Sequence, residues 1–508
     1  MALGDNLRQK PPAVLVLLAV FATLISLIPI AYLLFRGSQA VEQFVIELAR
    51  PRTLDLFAST TALVITVTLS ALLIGVLQAW LVVRTNLPFR NFFAVAAALP
   101  LAMPSYVAAF GWVSLFPGFY GFFPSWLVMT LTTTPYVYLA VAASLVSSNF
   151  QAEEVARSLG KNRKQVLLGV TWPIIRPAAT ASSLLVALYT LSEFGAVATL
   201  RFQTLTLGVY NAYRSSFDRN AAAAIAIVLV ILTLVILFGE IRARGKVRNT
   251  EPHTGKRIRI NIQGRYFFAS GLFIFAGLGI GVPVAALLRW SFIGTSRAEL
   301  ARLMDALITT VTYALAAGLI ITVFALAIAL VALRYKSPIG KPVELGVWVG
   351  HALPGIVIAL SLVFLGANLL PGVYQTVWMV LIAYVALFLP NGLAGIKNPV
   401  SQIPIALDEV GRSLGQTRLQ VLRRITLPII TPGVIASFAL VTLTVMKELP
   451  ATLLLRPTGE DTLATRLWAL TDASFYAAAA PYGLLLFVLG GIPAWLLNRQ
   501  IRKTLDAT

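Results

Sequence analysis

Charged residues along this chain fall in clusters, and between the clusters run long stretches without a single Lys, Arg, Asp or Glu. They cover residues 11–35, 56–83, 91–152, 220–239, 266–288, 306–333, 345–396 and 473–498. A helix of about 20 apolar residues crosses about 30 Å of hydrocarbon, so each stretch predicts at least one spanning helix. The stretches starting at Asn91 and Leu345 are long enough for two crossings each, divided by turn-forming residues: Pro117, Gly118 and Pro124 in one, Pro371 and Gly372 in the other. With the helices containing Glu193 and Glu448, the pattern predicts twelve spans, six on either side of a polar stretch near 241–265.

Composition agrees: 58% of the 508 residues are hydrophobic, 12% are charged, and mean hydropathy is +0.83. The formal charge of +20 invites a nucleic-acid reading, but the location of the basic residues argues against it. With the N-terminus inside, the loops holding Arg84 and Arg90, Arg157–Lys164, Arg334–Lys341 and Arg412–Arg424 all fall on one face, with the basic linker 241–265. The loops around Pro117 and Pro371 carry no Lys or Arg. Arg50, Arg52, Arg214 and Arg219 are outward exceptions to a strong positive-inside bias. The charge therefore reports topology and contact with anionic inner-leaflet lipid, with both termini cytoplasmic and no nucleic-acid partner. Residues 11–35 are too long an apolar run for a signal peptide and read as a retained first helix. The chain has no Cys, which excludes disulfides and thiolate metal sites.

The chain also repeats itself. EEVARSLG at 153–160 returns as DEVGRSLG at 408–415, an offset of residue 408 minus residue 153, 255 positions. The same offset superposes Gln165-Val166-Leu167 on Gln420-Val421-Leu422, Pro173 on Pro428, Pro177 on Pro432, Glu193 on Glu448 and Arg201 on Arg456. Upstream, an offset of 250 puts Arg84 on Arg334. This divides the chain into a first repeat 1–240, a basic cytoplasmic linker 241–265 and a second repeat 266–508. Because six spans is an even number, the repeats run parallel, related by an axis along the membrane normal.

Each repeat carries the same polar loop, 151–177 and 406–432. Acids open a short helix, Glu153 and Glu154 in one loop and Asp408 and Glu409 in the other, where the helix dipole favours negative charge. Arg157 or Arg412 follows, and Gly160 or Gly415 stops the helix. A second amphipathic segment, starting at Lys161 in the first loop, is expected to end at Pro173 or Pro428. Two short helices joined by a glycine make a knob projecting from the membrane. A solvated juxtamembrane loop is the plain alternative, but it gives no reason for such detail in both copies.

These residues resemble the "EAA" signature of permease subunits of bacterial binding-protein-dependent ABC importers: E-A-A, three residues, Gly, nine residues, I-x-L-P. The second copy keeps Gly415 and Ile425-x-Leu427-Pro428 at that spacing, the first has Val170-x-Trp172-Pro173, and neither keeps the double alanine. The resemblance implies an all-α integral membrane protein of the type I importer permease fold, with each knob docked on one of two cytoplasmic ATPase subunits. It also implies ATP and Mg on those partners, no cofactor on this chain, no enzymatic activity of its own, and residence in the bacterial inner membrane. Gly255-Lys256 has neither the upstream glycine nor the following Ser/Thr of a P-loop. LSEFGAVA (191–198), YRSSFDRNAAAA (213–224), MKELPATLLLRPT (446–458) and TLATRLW (462–468) resemble the ferric-ion branch. That branch implies a periplasmic or lipid-anchored ferric-ion-binding protein as partner. Thiamine or another small solute is the competing cargo. A secondary transporter would share the hydropathy but has no use for paired knobs.

Carboxylates inside a membrane are costly, about 2.5–3.5 kcal/mol at a helix centre for Asp, so Glu193 and Glu448 need a partner or a purpose. One reading pairs Glu448 with Lys447 or Arg456 and Glu193 with Arg201 as buried ion pairs. The other has both carboxylates facing the pathway as an outer gate that touches Fe³⁺ transiently, carboxylate oxygen suiting a hard cation.

Overall fold

The computed structural model describes residues 11–39, 41–147, 151–214, 219–243, 260–294, 299–335, 337–351, 353–404 and 406–506. The described residues are helical throughout, with one isolated parallel bridge between Thr85 and Ile260. Among the described residues nine helices are long and apolar enough to cross a membrane, and two bent pairs raise the number to as many as eleven. A further apolar helix, Tyr476–Gly491, occupies the last expected span.

In each of the two longest apolar stretches the first of the two expected crossings is a bent pair of helices. Arg90–Ala102 and Ser105–Leu115 meet at 94°, and Gly340–Gly350 and Gly355–Asn368 at 103°. Each break falls at a proline, Pro104 or Pro354, which serves as N-cap of the following helix. Proline disfavours helical geometry in the residue before it, so the chain turns there rather than running straight across.

Prolines expected to end helices do not always do so. Trp172–Ser192 passes through Pro173 and Pro177, and Leu427–Val445 through Pro428 and Pro432. Directly before each lies a π-turn, Leu167–Thr171 or Leu422–Thr426, in which an N–H reaches five residues back: Trp172 to Leu167, Leu427 to Leu422. The same turn precedes Pro283, where Val282 bonds Gly277. A proline ring clashes with the carbonyl four residues back, and widening the preceding turn moves that carbonyl aside. Gly277 and Gly281, at a four-residue spacing that would permit close helix packing, border this turn and have open space where a Cβ would stand. Gly346 and Gly350 do pack: a Cβ on Gly350 would stand 2.7 Å from the Ser26 carbonyl.

The chain divides into two compact units that do not follow the two sequence repeats. One comprises Met1–Phe44 with Met304–Thr465, the other Val45–Leu303 with Arg466–Thr508. In the first unit Ala13–Gln39 packs on Gly340–His351 and Val377–Ser401. In the second, Val282–Phe292 packs on Ser105–Leu115 and on Tyr476–Asp506. The first helix of each repeat is thus housed with helices of the other.

Candidate functional site

The two knobs share the same helix stop and the same capping pattern. In the first, Gln151–Ser158 ends at Gly160 in the left-handed region (φ 81°), and the Lys161 N–H reaches back to the Ala156 carbonyl at 3.1 Å. In the second, Ala406–Ser413 ends at Gly415 (φ 78°), and the Gln416 N–H reaches the Gly411 carbonyl at 3.1 Å. This is the glycine-terminated helix end predicted from sequence. The following segment starts two residues later than expected, at Arg163 and Arg418, on a reciprocal capping box. Asn162 and Gln165 each accept the other's N–H at 2.9 Å, and Thr417 and Gln420 do so at 2.8 and 3.4 Å. The spacing of Asn162 and Gln165 was the available sequence signal.

Small residues are needed at 156 and 411. Ala156 is buried, and a Cβ on Gly411 would stand 2.9 Å from Ile425 and 3.0 Å from Val421. On the opposite side Val155 and Leu159, and in the second knob Val410 and Leu414, are exposed, the two leucines by about three quarters.

Glu153 points inward rather than toward a partner. It is buried and ion-paired with Arg84, itself buried at the end of Pro51–Arg84. Thr171, in the π-turn, donates to the same carboxylate oxygen at 2.6 Å. Arg157 is half-exposed, 4.0 Å from the other oxygen. The Arg84 carbonyl accepts the Ile260 N–H at 2.9 Å, Asn86 N–H donates to the Ile260 carbonyl at 3.2 Å, and the Asn86 side chain holds Asn261 at 2.7 Å. One buried pair therefore ties a spanning helix to the knob, at the point where the end of the linker docks. In the second copy Arg334 donates to the carbonyl of Ile403 at 3.0 Å. The side chains of Glu154, Asp408, Glu409 and Arg412 lie outside the described part of the structure.

Glu193 and Glu448 each sit at the end of a long helix and head a short one, Gly195–Thr199 and Pro450–Leu455. The sequence pattern did not foresee these short helices. The Glu193 carboxylate accepts the Ala196 N–H at 2.9 Å, with Ser105 and Tyr189 also at the group. Glu448 accepts N–H from Ala451 at 2.7 Å and from Thr452 at 2.8 Å, and the Thr452 hydroxyl as well. Donors of their own chain thus meet the burial cost, a different solution from the expected ion pairs. Arg201 forms no ion pair among the described residues and lies 4.5 Å over the Tyr120 ring. Arg456 turns to Asp461 at 3.0 Å and to the Glu460 carbonyl. Lys447 is half-buried beside Glu448 in the chain. The two glutamates belong to different units, and among the described residues no three His, Asp or Glu gather as a metal site.

A duplicated helical membrane framework with matched knobs fits a transport permease. The chain belongs to the family described as binding-protein-dependent transport system inner membrane component, which matches residues 71–241 and 322–503. It is 36% identical, over 97% of its length and all of the relative's, to the Fe(3+)-transport system permease protein FbpB 2 of Haemophilus influenzae. It is 26% identical, over 79% of each chain, to the probable ABC transporter permease protein y4fN of Sinorhizobium fredii. The sulfate transport system permease protein CysT of Salmonella typhimurium is 30% identical over 43% of this chain and 86% of its own. The chain is a multi-pass membrane protein of a binding-protein-dependent importer, with the all-α type I permease fold expected from the knob motifs.

Proposed function

We propose that the chain is the membrane channel of an ATP-driven importer that takes ferric iron from a periplasmic or lipid-anchored binding protein and releases it into the cytoplasm by alternating access. Likeness across nearly the whole chain to a relative named for Fe(3+) transport carries the cargo. For the motor, the support is the exposed apolar pair on each knob, Val155 with Leu159 and Val410 with Leu414. Two such faces suit two copies of a cytoplasmic ATPase, which would hold ATP and Mg while this chain binds no cofactor. The basic loops support a cytoplasmic place for both termini, and the two repeats, 1–240 and 266–508, would be the inherited units of the pore. Glu154, Asp408, Glu409 and Arg412 would reach the ATPase directly, while Glu153 holds the first knob to the membrane helix. Glu193 and Glu448 act on the pathway as the pivots of its short helices.

The test is radiolabelled ferric uptake into vesicles containing this chain, the ATPase and the binding protein. Uptake is expected to require ATP and to survive collapse of the proton gradient. Uptake of thiamine or sulfate in place of iron overturns the cargo, and ATP-independent uptake overturns the motor.

A further inference from the structure

The duplication supplies an internal control for Arg201. Its counterpart Arg456 is followed by Pro457-Thr-Gly-Glu-Asp461, whereas Arg201 is followed only by Phe202-Gln203 before the loops realign. The realignment is structural: Leu205 N–H donates to Thr60 Oγ1 at 2.8 Å, and Leu463 N–H to Thr310 Oγ1 at 2.9 Å. The extra residues in the second copy bring Glu460 and Asp461, which take up the Arg456 guanidinium. The loop of the first copy has no such acid, and Arg201, held at a left-handed backbone angle (φ 52°), lies over the Tyr120 ring with no carboxylate partner among the described residues.

Arg201 lines a small open cleft within one unit, together with Tyr120, Thr199, Asp472, Ser474 and Tyr476. Asp472 is exposed and, like Arg201, has no ion-pair partner among the described residues. Two opposite charges therefore share a hydroxyl-lined cleft without neutralising each other. A free anion would meet the Asp472 carboxylate there, and a bare cation would meet the Arg201 guanidinium. A metal ion that already carries an oxyanion satisfies both. Carboxylate and hydroxyl oxygens suit a hard trivalent cation, and a guanidinium fork suits an oxyanion. We propose that this cleft binds a trivalent metal ion in complex with a small oxyanion, Asp472 facing the metal and Arg201 the oxyanion. Tyr120 belongs to the turn at 116–121, on the face opposite the basic loops, where cargo arrives. The proposal rests on the ferric reading and adds that iron enters chelated rather than bare.

The test uses the full transporter in lipid nanodiscs, titrated with radiolabelled ferric citrate, with citrate alone, and with aquo terbium(III) as a bare hard cation. Ferric citrate is expected to bind at least tenfold more tightly than either component. Arg201→Gln and Asp472→Asn are each expected to weaken it at least tenfold, with Arg201→Lys intermediate. Should Arg201→Gln fail to assemble with the ATPase, Arg201→Lys and Asp472→Asn carry the test. Equal binding by wild type and variants overturns the proposal, as does terbium binding as tight as ferric citrate. So does an Arg201→Gln variant that binds ferric citrate normally but has lost affinity for the binding protein, which would make Arg201 a docking contact. In vesicles, absence of ferric uptake by the wild type removes the ferric reading itself. Normal uptake by the wild type and both variants removes only the cleft.

Discussion

The knobs and the loops after Arg201 and Arg456 come from the same duplication, yet they have had opposite histories. The knobs keep the same glycine stop, capping box and π-turn before proline. The loops differ by three residues and by the fate of one arginine. On the proposed function, knobs that meet two copies of the same partner would be held to one geometry, whereas loops facing a single pathway would be free to specialise.

The sharpest way to break this comparison is at the first knob. Arg84→Ala leaves Glu153 buried without its counter-charge and is expected to cost about 3–5 kcal/mol. Unfolding of the purified protein in detergent would measure it, and the reversed pair Arg84→Glu with Glu153→Arg should recover part of the loss. An Arg84→Ala protein as stable as wild type would mean the pair does not hold the knob.

A smaller effect separates the two intramembrane carboxylates. Glu448→Gln sets an amide NH₂ against donors that now share two carboxylate oxygens, at about 1–3 kcal/mol for a buried group left unsatisfied. Two of the groups at Glu193, Ser105 and Tyr189, are hydroxyls that can turn to accept from an amide NH₂, so Glu193→Gln should cost less. The same unfolding measurement ranks them, and the reverse order would contradict the capping geometry.

The smallest effect is expected at Asp461. Its pair with Arg456 is partly exposed, and Asp461→Asn should cost about 0.2–1 kcal/mol. It would leave Arg456, like Arg201, without a carboxylate partner, though still bonded to the Glu460 carbonyl. Ferric citrate binding by the transporter should then show whether an open guanidinium alone, without the Asp472 cleft, is enough to hold the complex.

Much of this architecture was legible in the sequence, because charge-free length is a one-dimensional signal. The repeat was legible too, since glycine stops and prolines leave fixed spacing. What escaped depends on geometry across the chain. Pro104 and Pro354 lie inside apolar stretches whose composition does not distinguish a broken span from a straight one. Pro173 and Pro428 read as terminators because a widened turn before them leaves no compositional mark. Glu193 and Glu448 suggested ion pairs because the nearest opposite charges in sequence were arginines and a lysine. Their partners were instead backbone N–H groups of short helices that no hydrophobic pattern announces. Glu153 resembled a surface acid, and its burial depended on Arg84, 69 residues away.

The division into units makes the polypeptide pass between them at three places, after Phe44, Leu303 and Thr465. None of these lies in the basic linker, and both Arg219–Ala243 and Arg265–Ala276 belong to the same unit. A protease nick in the linker would therefore leave two fragments that each thread both units, interlocked like clasped fingers rather than released as separable halves. For the same reason, neither unit can be completed before the ribosome has made most of the second repeat.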